Sequence, residues 1–135
     1  MSELGLMLQR AQRDFERRLN DELSGREHGL TPAQLSVIQH VDSDGTRLGA
    51  VADKVGTTKQ AVGQIIDQLE KLGFVERGPD PADARARLVR PTKRGATLLT
   101  DAKGVSATIR KDWKKKLGAD RLAALEDALG ALFQD

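Results

Sequence analysis

The hydrophobic period of this chain is helical almost throughout, except around residues 74–90, where it switches to that of short strands. Leu48, Val51, Ala52 and Val55 recur at i, i+3, i+4 and i+7, which places them on one side of a short helix. Gly56 ends that helix, since glycine readily takes the left-handed conformation of a helix C-terminus. Thr57 and Gln60 form a threonine-x-x-glutamine capping pattern, and a second helix follows over Thr58–Leu72. Its core face is Val62, Ile65, Ile66, Leu69 and Leu72, and Gly73 stops it. Phe74–Arg77 and Arg87–Arg90 then read as short strands around a Gly/Pro/Asp-rich loop, Gly78–Ala84. Two helices joined by Val55-Gly56-Thr57 make a helix-turn-helix, and a β-hairpin directly after them adds a wing. The expected fold class is mainly α (α+β): a winged helix-turn-helix with flanking helices.

The flanks complete the layout. Leu4, Leu8, Ala11, Phe15, Leu19 and Leu23 form one apolar stripe of a first helix over Glu3–Leu23, with Gly25 and Gly29 marking its exit. Thr31-Pro32-Ala33-Gln34 opens the next helix, with Thr31 as cap and Pro32 where its missing N–H costs nothing. Leu35, Ile38 and Val41 give its buried side, and Asp42–Gly45 reads as a turn. Pro91 ends the second strand, and Thr92 caps a long helix carrying Leu98, Ala102, Val105, Ile109 and Trp113. A last helix near Asp120–Phe133 carries Leu122, Leu125, Leu129 and Leu132. Residues 1–135 are read as one domain, with a DNA-binding lobe over 30–92 and dimerisation helices over 1–28 and 93–135. A lone chain of this layout leaves the stripes of the first and last two helices exposed, so a homodimer is expected.

Composition narrows the functional classes. The chain has no cysteine, hence no disulfide framework, thiolate nucleophile or thiol redox sensor. Its two histidines, His28 and His40, lack metal-like spacing and read as ordinary surface or boundary residues. No nucleophile–base set and no phosphate-binding glycine loop can be assembled, so neither an enzyme nor a cofactor or metal site is expected. No apolar run is long enough to span a membrane, and the N-terminus lacks signal-peptide character, which makes the cytoplasm the expected compartment. The net charge of +2 says little, but between Thr46 and Arg94 ten basic residues face six acidic ones. The middle of the chain is thus the segment suited to a polyanion.

The side chains there can do specific chemistry. Thr58, Lys59, Gln60 and Gln64 lie on the outward face of the second helix of the motif, near its N-terminus. Lys and Gln can hydrogen-bond base edges in a major groove, and Thr can reach a base or a phosphate. Arg85 and Arg87, in and beside the wing, can enter a minor groove, where the potential is negative. Arg90, Lys93 and Arg94 read as solvated or helix-positioning, and Lys114-Lys115-Lys116 as a favourable end to the long helix. The expected partner is double-stranded DNA. Two alternatives use the same fold: a winged-helix module that docks a protein, and a nonspecific architectural DNA binder. A protein-docking face would display aromatics or leucines where this one is basic and polar.

Four segments resemble the multiple antibiotic resistance regulator (MarR) family. Gly29–Gln34 resembles the opening of that family's second helix, and Leu69–Arg77 its junction of recognition helix and wing. Asp80–Ala86 resembles its wing-tip motif, and Thr92–Gly95 the entry to its fifth helix. The resemblance implies an obligate homodimer with interlocked terminal helices, acting on pseudopalindromic operators. It also implies a repressor released by a small, often anionic or phenolic, effector. It gives Asp83 the task of bracing the wing, Arg85 the minor groove, and Arg77 the support of wing or DNA backbone. This chain departs from the pattern at Ala84, where arginine is common, at Pro91, where leucine is usual, and at Gly63 and Gln64, where a small hydroxyl residue and an arginine are frequent. These departures bear on the operator sequence, not on the fold.

Overall fold

The computed structural model describes residues 2–24 and 28–134. Along the chain it contains α1 (Glu3–Ser24), α2 (Pro32–Ile38), β1 (Thr46–Arg47), α3 (Leu48–Val55) and α4 (Lys59–Lys71). The wing strands β2 (Val75–Asp80) and β3 (Asp83–Pro91) follow, then α5 (Lys93–Leu117) and α6 (Ala119–Ala131). The expected exit of α1 at Gly25 lies outside the described residues.

Local chemistry accounts for most boundaries. Thr31 and Gln34 make a reciprocal cap: Gln34 N donates to Thr31 Oγ1 (3.2 Å) and Thr31 N to Gln34 Oε1 (3.0 Å). Gly56 adopts φ +81°, a left-handed conformation that a side chain would disfavour, so α3 stops there and α4 restarts within three residues. The cap of α4 corrects one expectation. Thr58, not Thr57, is the N-cap, and its Oγ1 accepts from Ala61 N at 3.1 Å. Thr57 N instead closes the end of α3 by donating to Ala52 O.

The sheet also differs from expectation. Residues 46–47 form a short strand that the sequence does not announce, and the order is β1-β3-β2, antiparallel throughout. The expected loop Gly78–Ala84 shrinks to Pro81-Ala82, because both wing strands run further than their apolar residues. Gly78 pairs with Leu88 and Pro79 with Arg87, with a register shift at Pro79/Asp80. Pro79 fits because β2 is an edge strand, where a missing N–H costs no ladder bond.

One apolar cluster runs through the chain, from Leu35, Ile38, Val51, Val62, Ile66 and Leu69 to Leu98, Val105 and Ile109. Phe74 is fully buried at its waist. Burying a side chain of that size stabilises by about 1.5–3 kcal/mol. The start of α5 is seated on the same residue. Thr92 N donates to Phe74 O (3.0 Å), and a Cβ on Gly95 would lie 2.0 Å from that carbonyl oxygen, so only glycine fits there. Arg94 donates to Leu72 O (2.6 Å) and lies 4.3 Å over the Phe74 ring.

The apolar stripes fare unequally. Val62, Ile66 and Leu69 of α4 are buried, whereas Leu72, expected in the core, is 42% exposed. On α1, Leu19 and Leu23 are buried, but Leu4 and Leu8 are exposed. Of the α6 stripe only Leu122 is buried, and Leu129 and Leu132 are exposed. Trp113 of α5 packs edge-on to Phe15 of α1, 6.0 Å between ring centroids.

Candidate nucleic-acid interface

The outward face of α4 is polar along its first half. Thr58, Lys59, Gln60 and Gln64 are all exposed, as their helical positions opposite Val62, Ile66 and Leu69 require. Thr58 Oγ1 accepts the cap bond from Ala61 N, which leaves its O–H to donate alongside Lys59, Gln60 and Gln64. Behind them the helix is anchored by Gln34 of α2, whose Nε2 donates to Gln68 Oε1 at 3.0 Å.

The wing continues from α4 through Gly73. Arg87 and Arg85 lie on β3 beyond buried Val89, towards the wing turn and past the edge of the core. Both are exposed. Asp83 Oδ1 accepts from Arg85 N at 3.0 Å, beside the turn.

Arg77 stands differently. Its Nη1 donates to Asp67 Oδ1 (2.7 Å) and Glu70 Oε1 (3.2 Å), both on α4. The side chain thereby joins the first wing strand to the helix and offsets the charge of two exposed carboxylates. Two other basic residues of the segment are turned to internal use. Arg94 satisfies the end of α4, and Arg90 Nη2 donates to Pro79 O across the wing (3.3 Å).

Two residues at this site escaped the sequence reading. Asp80 is buried at the wing turn, where its Oδ1 accepts from Ala82 N (2.9 Å) and its Oδ2 from Arg47 Nε (2.8 Å). The Ala82 amide, followed by the Arg47 guanidinium, holds its carboxyl below the usual carboxylate range. The Asp-Pro pair at 80–81 is a local turn signal that could have pointed to Asp80. Nothing local points to Arg47, whose partner lies 33 residues away.

His28 Nε2 lies 2.8 Å from Asp101 Oδ2 on α5, and burial, followed by Lys54, lowers the pKa of His40. Among the described residues no trio of His, Cys, Asp or Glu could hold a metal ion, and no helix is long and apolar enough to cross a membrane.

Comparison with known proteins supplies an independent view. The model of the MarR family matches residues 28–86, from the approach to α2 through most of the wing. The multiple antibiotic resistance protein MarR of Escherichia coli (strain K12) is 30% identical over 125 residues, 91% of this chain and 85% of that protein. Among solved structures, CouR from Rhodococcus jostii RHA1 bound to p-coumaroyl-CoA superposes with a TM-score of 0.83 at 24% identity, covering 99% of this chain and 94% of that one. A mutant MarR from E. coli complexed with operator DNA gives a TM-score of 0.78 at 26% identity, covering 97% of this chain and 94% of that one.

Proposed function

The chain belongs to the MarR family of transcription regulators, and from that premise we propose that it is a sequence-specific repressor that binds double-stranded DNA as a homodimer. The observation that carries the reading is the exposed polar and basic surface shared by α4 and the wing. Lys59, Gln60 and Gln64 stand on a helix already satisfied on its other side, and Arg85 and Arg87 stand on strands that outrun the core. In this reading α4 enters a major groove, where its glutamines and lysine read base edges with Thr58 at the phosphates. Arg85 and Arg87 enter the flanking minor groove. Asp83 and Arg77 hold the wing in place for them. The solved complex of a mutant E. coli MarR with operator DNA supports DNA as the partner of the shared fold.

The homodimer forms through α1, α5 and α6, with a second copy covering the apolar side chains exposed on α1 and at the end of α6. Its two-fold axis pairs half-sites about one helical turn apart on a pseudopalindromic operator. Release by a small-molecule effector fits a cleft of about 720 Å³ between the α2–β1 connection and α5, lined by Asp42, Asp44, Thr100 and Lys103 among others. The fold neighbour CouR carries p-coumaroyl-CoA, which supports a ligand-responsive scaffold. The protein acts in the cytoplasm in this reading, where its operator is.

Selection from a randomised duplex pool at two salt concentrations tests the proposal. A motif of two inverted half-sites, with affinity falling steeply as salt rises, is the expected outcome. Salt-sensitive binding without a motif would make the protein a nonspecific DNA binder. No binding at either salt would favour a protein-docking winged helix.

A further inference from the structure

The wing turn is held from outside the hairpin, by a residue of β1. Arg47 is the last residue of β1 and the N-cap of α3, with its backbone paired to Leu88 of β3. Its guanidinium reaches the far end of the hairpin. Nε and Nη2 both meet Asp80 Oδ2, at 2.8 and 2.7 Å, and Nη2 lies 4.0 Å from Asp83 Oδ2. Each aspartate in turn grips the turn backbone, Asp80 through the Ala82 amide and Asp83 through the Arg85 amide. An unbroken set of contacts thus runs from the start of the helix-turn-helix to the backbone of Arg85. Without Arg47, the wing turn would carry two uncompensated carboxylates toward any phosphate backbone, where like charges repel.

We propose that Arg47 is a positioning residue for DNA binding, clamping Asp80 and Asp83 so that the wing presents Arg85 and Arg87 at a set distance from α4. This rests on the DNA-binding reading above. The clamp has two effects that a surface ion pair elsewhere lacks: it removes the freedom of a two-residue turn before binding, and it offsets the charge of the turn's own acids. Preorganisation of this kind strengthens binding without adding a contact.

The test is a double-mutant cycle on the selected operator, with hydrogen exchange of the wing amides measured in the free protein. Arg47→Met should weaken binding about tenfold in the native background and less than about twofold when Arg85 and Arg87 are both alanine, since coupled residues are not additive. Arg47→Lys, which keeps the charge and loses the fork, should recover part of the loss. The Ala82 and Arg85 amides should exchange faster in Arg47→Met, with the thermal midpoint near that of the native protein. Equal losses in both backgrounds would mean that Arg47 touches DNA itself and would overturn the proposal. So would unchanged affinity, or amide protection that survives the substitution. The exchange readout needs no DNA. A native protein that binds no duplex defeats the functional reading, while retained amide protection defeats the clamp.

Discussion

The lobe spanning α2 to β3 and the arms formed by α1, α5 and α6 are built to different standards of completeness. Within the lobe the large apolar side chains are buried or half-buried, with Leu72 the exposed exception, and charged residues are cross-linked: Arg77 to Asp67 and Glu70, Arg47 to Asp80. The arms expose Leu4, Leu6, Met7 and Leu8 at one end of α1, and Leu129, Leu132 and Phe133 at the end of α6, where Leu132 and Phe133 are 70% and 84% exposed. Ion pairs tie the arms together, Arg18 with Asp112 and Arg110 with Glu126, but they lie at the surface. Such pairs contribute little beside buried apolar area. The contrast teaches that apolar periodicity states which face of a helix must be covered, and not by what. In the lobe the rest of the chain covers it. In the arms a large part is left for another molecule, which is why we assign the second copy there.

Four measurements sharpen or break this contrast. The largest effect is expected at the waist where the regions join. Phe74→Ala should cost about 3–5 kcal/mol in urea unfolding, the range for emptying a fully buried aromatic site. A much smaller loss would mean that lobe and arms do not share a core. Next, Leu129→Glu combined with Leu132→Glu should leave the far-ultraviolet spectrum unchanged but convert the protein to a monomer in sedimentation. Operator affinity should fall at least about 100-fold, as the second half-site ceases to be an intramolecular partner. A variant that stays dimeric would remove α6 from the interface.

Smaller effects should follow on the lobe's surface. Arg85→Ala should weaken operator binding by about 1–3 kcal/mol with the sedimentation behaviour intact. An affinity equal to that of the native protein would withdraw the minor-groove role. The smallest effect concerns acid. Arg18 holds the carboxyl of Asp112, and Arg110 that of Glu126, below the ordinary carboxylate range. A carboxyl depressed in the folded state stabilises above its unfolded pKa, and that stabilisation is lost as pH falls through the folded value. Melting temperatures should therefore be flat from neutral pH to about 5 and decline below about 4, near the unfolded carboxylate values. The decline should be shallower when Arg18 and Arg110 are both methionine. An equally steep decline would place the acid sensitivity in the lobe, where Asp80 is depressed in the same way.

The candidate surface was more legible in the sequence than its supports. Lys59, Gln60 and Gln64 are exposed as the helix period implies, and Arg85 and Arg87 because β3 runs past the core. What the sequence did not carry was which basic residues are already engaged. Arg77 and Arg90 carry the same charge as Arg85, yet one is tied to α4 and the other to Pro79. The length of the wing was equally hidden, because Gly78, Pro79 and Asp80 are turn-forming residues that here extend an edge strand.

The sequence by itself determined the order of the helices and wing strands, the caps at Thr31 and Thr92, the stop at Gly56 and the centres of the buried faces of α3 and α4. These follow from contacts within about four residues, where spacing and side-chain chemistry suffice. Only the tertiary structure decided that β1 exists, that two residues turn the wing, that Gly95 must admit the Phe74 carbonyl, and that Arg47 meets Asp80. Each of those depends on strand register or on the close approach of segments far apart in the chain. No local pattern encodes such an approach, because it is set by how the whole core closes.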